Sequence, residues 1–211
     1  MMKTKKIFML AFLSILLACG GAEETEEEVE EEVTDAENCT YSYDETATTL
    51  TWTAFKLTEK VGVDGTFDEI RVVAKEADNK FDVLNNATFE IPVSSINTQD
   101  TTRDGKIRRS FFAQMDKTDL LTGEIISIDK SAARVSITMN GVSKEYDSEV
   151  KVKGEKITMI TVIDIRDFDG QVAMDSLSVV CAEKHTGPDN ENKLWTDVSI
   201  AVSSTLKKTC E

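Results

Sequence analysis

The run from Ala133 to Met139 alternates apolar and polar residues without a break and then meets Asn140-Gly141. Alternation at period two belongs to a strand with one buried face, here Ala133, Val135, Ile137 and Met139. Asn-Gly supplies the two positive-φ residues of a tight hairpin turn. The chain from Val142 onward, with Val142, Tyr146, Val150 and Val152, must therefore return as a partner strand. Such a hairpin commits the chain to an antiparallel sheet.

The same period recurs elsewhere. In Ala87–Val93 the residues Ala87, Phe89, Ile91 and Val93 share one face, while Thr88 and Glu90 take the other. Pro92 falls on the outward set, where its missing N–H omits a ladder bond. Thr49–Leu57 reads as a strand whose apolar phase shifts between Ala54 and Phe55, the mark of a bulge. Further strands are expected over Thr66–Lys75, Gly123–Ile128 and Ile157–Ile165, the last after a Lys153-Gly154-Glu155 turn. Trp195–Leu206 closes the series with Val198, Ile200 and Val202 inward. Short strands at even spacing with hairpin turns make a sheet that must close or stack.

Two stretches break this rhythm. After a polar turn at Thr101–Gly105, Ile107, Phe111 and Met115 recur at spacing four, which predicts a short amphipathic helix with aromatics on its inner face. Within Gln171–Lys184, Ala173, Leu177, Val180 and Cys181 fall at helical spacing, with Asp169 or Gly170 able to cap, and His185-Thr186-Gly187-Pro188 stops that helix.

The N-terminus is of another kind. Lys3, Lys5 and Lys6 precede an apolar run from Ile7 to Ala18 that is shorter than the roughly 20 residues a spanning helix needs, so residues 1–18 are expected to be a signal peptide. Leu16-Leu17-Ala18-Cys19 resembles a bacterial lipobox, which implies lipidation at Cys19 and a stable membrane anchor. Residues 19–38 then form an acidic tether carrying ten Asp and Glu and no base, a composition that stays solvated and extended. Without the signal peptide and the tether, 29 acidic side chains face 21 basic ones, a net charge of −8. The expected location is the bacterial cell envelope, as an outer-membrane lipoprotein facing the periplasm or the cell surface.

Residue inventory excludes several chemistries. There is one histidine, His185, and no Cys-x-x-Cys, so a metal site is not expected. No Gly-x-Ser-x-Gly occurs, and His185 follows a helix in a capping or surface position, so no catalytic residue is assigned and no enzyme is expected. The acidic balance and the lack of a basic stripe disfavour nucleic acid.

Ser94-Ser95-Ile96-Asn97-Thr98, followed by Arg103-Asp104-Gly105 and Phe111-Phe112, resembles the YceI-like family of lipid-binding barrels. Gly65-Thr66-Phe67-Asp68, Met139–Lys144 and Arg166-Asp167-Phe168-Asp169 extend the resemblance across Tyr41–Leu206, although Asp169 stands where the family often has glycine. The resemblance implies an all-β, antiparallel, lipocalin-like β-barrel of about eight strands over residues 39–211, with one or two short helices at its ends. It also implies a long polyisoprenoid or quinone-like lipid threaded through the lumen, with no other cofactor. By position Phe89, Ile91, Phe111, Phe112 and Phe168 would line it, and Phe55, Phe67 and Met139 are further apolar candidates. Arg103 and Arg108 are either helix-face charges or clamps on a ligand head group. The function so implied is a membrane-anchored binder or carrier. The alternative is an envelope or stress-related scaffold with a filled barrel, acting through a protein partner.

With Cys19 assigned to lipid, three cysteines remain. In a closed meander the first and last strands are antiparallel neighbours, which favours a Cys39–Cys210 disulfide over a pair using Cys181. Cys181, on the helix's apolar face, is expected to be a buried thiol.

Overall fold

A computed structural model describes residues 38–211; the signal segment, Cys19 and nearly all of the tether lie outside them. The order is β1 (Cys39–Ser42), β2 (Thr48–Lys56), β3 (Val61–Phe67), β4 (Arg71–Val73), α1 (Lys80–Leu84), β5 (Thr88–Pro92), β6 (Ile96–Asn97) and α2 (Thr101–Ser110). The second half runs β7 (Leu120–Ile128), β8 (Ala132–Met139), β9 (Val142–Lys153), β10 (Lys156–Asp164), α3 (Gln171–Val180), α4 (Ala182–His185), β11 (Leu194–Thr205) and β12 (Lys207–Cys210).

The hairpin that fixed the sheet's sense forms as its residues require: Asn140 and Gly141 hold φ of 55° and 71°, and Met139 pairs with Val142. Ten strands follow one another in the order β4-β5-β7-β8-β9-β10-β11-β2-β3-β6. The two ends of that order are one seam. Phe67 of β3 pairs with Ile96 of β6, and Val72 of β4 pairs with Phe89 of β5. Between them Asp68 N donates to Ser95 O at 2.9 Å. Strands β3 and β4 are thus halves of one interrupted strand, β5 and β6 halves of its partner, and the ring closes as an antiparallel barrel of eight.

The interruption corrects the single strand expected over Thr66–Lys75. A 3-10 turn at Val93–Ser95 shifts the facing chain, and Ser95 Oγ donates to Pro92 O at 2.7 Å. Pro92 is buried, not outward, because it is the last residue of β5, where that turn takes over. The bulge expected at Ala54/Phe55 lies on the facing strand instead: β2 runs in unbroken register against β3, while β11 shifts between Leu194 and Val198. Trp195, within that shift, donates from Nε1 to Leu57 O at 2.8 Å.

The polar turn expected at Thr101–Gly105 is instead the first half of α2. Asp100 Oδ1 caps it by accepting from Thr102 N at 3.0 Å and Arg103 N at 3.1 Å, and buried Asp104 accepts from Thr98 N and Oγ1 at 2.8 and 2.7 Å. The predicted second helix breaks at Cys181 into α3 and α4. Cys181 is a half-buried free thiol and not a buried one, and Val180 is 42% exposed. His185, expected in a capping or surface position, is the last residue of α4 and is 8% exposed, not at the surface.

Strands β1 and β12 form a separate two-stranded sheet in which Cys39 stands opposite Cys210, and the two are joined as a disulfide with Cα atoms 4.1 Å apart. Both barrel ends are covered. Helix α1 sits by the β9–β10 turn, where Lys80 Nζ donates to Gly154 O at 2.7 Å, and α2 packs with α3 at the other end, with Lys106 Nζ donating to Val180 O at 3.3 Å.

Candidate functional site

Alternation along each strand sends one set of side chains into the barrel, and they do not fill it. A cavity of about 250 Å³ remains. On β10 its wall is Ile157, Met159, Thr161, Ile163 and, just beyond the strand, Ile165; β11 contributes Val198, Ile200, Val202 and Ser204. Beside β11, its partner β2 contributes Thr48, Leu50, Trp52 and Ala54. At a rise of about 3.3 Å per residue, the β10 lining from Ile157 to Ile163 alone extends over roughly 20 Å of strand. Ile107, Phe111 and Phe112 from α2 and the residues after it, with Met174 and Leu177 from α3, close one end, and Tyr43 and Leu84 lie at the other. No Asp, Glu, Lys or Arg is among the lining residues.

Two glycines shape the wall. Trp52 pairs with Gly65 and Phe89 with Gly123, and in each pair the aromatic ring lies across the glycine. A Cβ at position 65 would stand 2.6 Å from Trp52 Cε2, and one at position 123 would stand 2.8 Å from Phe89 Cε1. The ring therefore replaces the side chain that its neighbour lacks, as aromatics do beside strand glycines.

Of the residues singled out from the sequence, Phe67, Phe89, Ile91, Phe111, Phe112 and Met139 line this cavity. Phe111 and Phe112 meet edge to face at 5.0 Å. Phe55 does not belong to the lining. Ala54 faces inward, so its neighbour faces out, and Lys60 Nζ lies over the Phe55 ring at 5.0 Å. Phe168 is also excluded: it is 0% exposed and packs beside Tyr146, with ring centres 6.0 Å apart, as solid core behind the wall. Arg103 and Arg108 lie outside the lining as well, and Arg103 sits 3.6 Å from Asp100, its own helix's cap. Trp52, Ser148 and Thr161 are lumen residues that the sequence reading did not assign. The phase of Leu50, Trp52 and Ala54 carried the signal for the first.

Polar groups in the lumen are hydroxyls or indole. Thr48 Oγ1 and Ser204 Oγ are 2.8 Å apart, and Ser148 and Thr161 form a second buried hydroxyl pair. Burial pushes the Tyr43 phenol up; the Thr48 hydroxyl tempers the rise, yet the two do not meet hydrogen-bond geometry. Away from the lumen, burial and then the charges of Lys56 and Lys106 hold the His185 imidazole below its usual range. Asp164 is lowered to about 2 by Arg166, whose Nη2 lies 2.5 Å from Oδ2. Among the described residues no cluster of three or more His, Cys, Asp or Glu could hold a metal.

Comparison with known proteins agrees with this architecture. A UPF0312 protein of Staphylococcus aureus strain bovine RF122 / ET3-1 is 32% identical over 92 residues, 44% of this chain and 53% of that protein. Its counterpart in strain MRSA252 is 33% identical over the same span. The chain thus spans about half the length of the curated relatives it matches. The fold is similar to that of a polyisoprenoid binding domain from Saccharophagus degradans implicated in plant cell wall breakdown, with a TM-score of 0.56 at 14% identity, covering 82% of this chain and 99% of that one. It is similar as well to Burkholderia cenocepacia BcnA, with a TM-score of 0.52 at 14% identity, over 79% and 99% of the two chains. The YceI-like domain model matches residues 41–205, which run from within β1 to the end of β11 and take in every strand of the barrel, and the chain belongs to the YceI-like family.

Proposed function

We propose that this protein is a membrane-anchored binding and carrier protein for an isoprenoid-type lipid, held inside the barrel and tethered through Cys19. The observation that carries the reading is a lumen walled over roughly 20 Å of strand by mostly apolar side chains with no charged residue among them. Such a wall favours a long apolar chain, at about 0.8 kcal/mol per buried methylene, and needs no catalytic group. The Saccharophagus degradans domain of similar fold is described as polyisoprenoid binding, which supports the same ligand class here. Unfilled volume in the lumen weighs against the filled-barrel scaffold. Lipidation at Cys19 supplies the anchor and the acidic spacer the reach; both come from the sequence.

The experiment is extraction of the protein, purified from its own membranes, with organic solvent and identification of the extract by mass spectrometry. An isoprenoid-type lipid in stoichiometric amount is the expected result, and a lipid-free extract overturns the proposal. A Cys19→Ser variant is expected to leave the membrane fraction and retain the bound lipid.

A further inference from the structure

Helix α3 is apolar on both sides. Ala173 and Met174 are buried, and Met174 with Leu177 closes the lumen. On the other side Val172 and Val179 are 67% and 75% exposed, and Val180 beside them is 42% exposed. Val172 and Val179 are two turns apart, so they share one face over roughly 10 Å of helix. Of the seven large apolar side chains exposed among the described residues, these are three. Exposed valines scattered singly need no explanation; three on one short helix form a stripe.

The helix packed against α3 is cationic. Helix α2 carries Arg103, Lys106, Arg108 and Arg109, and of these only Arg103 is ion-paired among the described residues. Lys106 reaches the end of the stripe, where its Nζ donates to Val180 O at 3.3 Å. An ammonium has three donors, so two are left. Arg109, three residues on, is its neighbour on the helix surface and is exposed. Lys184 follows in α4. Against them stand Glu183, buried Asp104, and Asp175, which accepts from Gln171 Nε2 at 2.7 Å. The three helices thus hold five bases and three acids, a net charge of +2, on a domain whose total is −8.

Valines rimmed by cations suit a helix that lies in the surface of an anionic bilayer. Chain length allows that contact. Cys19 lies twenty residues before Cys39, a span of at most about 70 Å, against a lumen wall of roughly 20 Å. An anchor at Cys19 therefore lets either end of the barrel reach the same bilayer. Strand β1, where the acidic segment joins the barrel, lies beside α1 at the end away from the stripe.

We propose that Val172, Val179 and Val180 of α3, with Lys106, Arg108 and Arg109 of α2, dock this end of the barrel on an anionic phospholipid bilayer. The valines enter the boundary between headgroups and acyl chains, and the cations meet lipid phosphates. Docking of this face goes beyond the lumen reading and does not require an occupied barrel; it fixes which end of the barrel faces the bilayer.

The test is co-sedimentation of the chain from residue 19 onward, carrying Cys19→Ser so that no acyl anchor contributes. One set of vesicles is equal parts phosphatidylcholine and phosphatidylglycerol, and the other is phosphatidylcholine alone. Binding to the first set is expected, with Arg108→Gln/Arg109→Gln weakening it roughly thirtyfold and Val172→Ser/Val179→Ser weakening it about tenfold. Val162→Ser, at a valine 57% exposed on β10, is expected to leave it unchanged. No binding, equal binding to both sets, or an equal loss with Val162→Ser overturns the proposal, whatever the lumen holds. Should either double variant fail to fold, amide hydrogen exchange of the Cys19→Ser chain decides. The anionic vesicles are expected to slow exchange in α3, and slowing confined to other elements overturns the assignment.

Discussion

Trp52 and Gly65 face each other across the β2–β3 ladder, and the indole stands where a side chain at position 65 would have to go. Phe89 and Gly123 repeat the arrangement across β5 and β7. These two inward aromatics thus lie against the wall, each over a neighbour with no Cβ.

Gly123→Ala is expected to destabilise the barrel by about 1–3 kcal/mol, the usual cost of overpacking. The new methyl would meet both the Phe89 ring and the fixed Ser136 carbonyl. The three atoms nearest a methyl at position 65 all belong to the Trp52 ring, a side chain and not backbone, so the cost of Gly65→Ala is expected to be smaller and its effect on ligand affinity larger. Chemical denaturation of the two variants, together with ligand titration, checks the contrast.

The Cys39–Cys210 bond closes a loop of 171 residues in sequence separation and ties β1 to β12 outside the barrel. Reduction, or a Cys39→Ser/Cys210→Ser double variant, is expected to cost on the order of 3–5 kcal/mol. That corresponds to a fall in melting temperature of roughly 10 °C. Matched thermal scans with and without reductant measure it.

His185 is the chain's one histidine, and its folded pKa lies below 6.5, chiefly through burial and then through Lys56 and Lys106. The unfolded chain therefore takes up the proton first as pH falls. Stability is expected to be flat above the unfolded value and to drop as pH falls through about 6.5 toward the lower folded value. Urea denaturation between pH 8 and pH 5.5 should show this slope, and His185→Gln should remove it.

Phe55 and Phe89 look alike in sequence and differ in the fold. Phe89→Ala enlarges the lumen wall and is expected to change ligand affinity by about tenfold and to cost 3–5 kcal/mol of stability if its burial is fully lost. Phe55→Ala, under Lys60 on the outer face, is expected to leave affinity unchanged. Arg103→Ala, paired with Asp100 outside the cavity, is expected to behave as Phe55→Ala does. Equilibrium titration with one apolar probe compares the three.

Much of the barrel was legible because its signals are local. Asn140-Gly141 set a hairpin, and the period of Ala133–Met139 and of Val198–Val202 set the inward face. The seam was not legible, since Thr66–Lys75 looks continuous and breaks only because the facing chain turns at Val93–Ser95. Pro92 was misplaced for the same reason: burial at a strand's end follows from the turn after it. The polar run Thr101–Gly105 gave no apolar period, yet Asp100 caps it and buried Asp104 ties it to Thr98. In the lumen, Phe55 failed because one residue's phase in β2 decides inside from outside. Phe168 failed because full burial is not the same as facing a cavity.

The most direct measurement is native mass spectrometry of the intact protein from its own membranes, beside an Ala54→Trp variant designed to fill the lumen. The wild-type protein is expected to carry a single added mass, released by organic solvent and matching an isoprenoid-type lipid, and the filled variant to carry none. A wild-type protein that flies at its bare mass, or an added mass that persists when the lumen is filled, would contradict a ligand held inside the barrel.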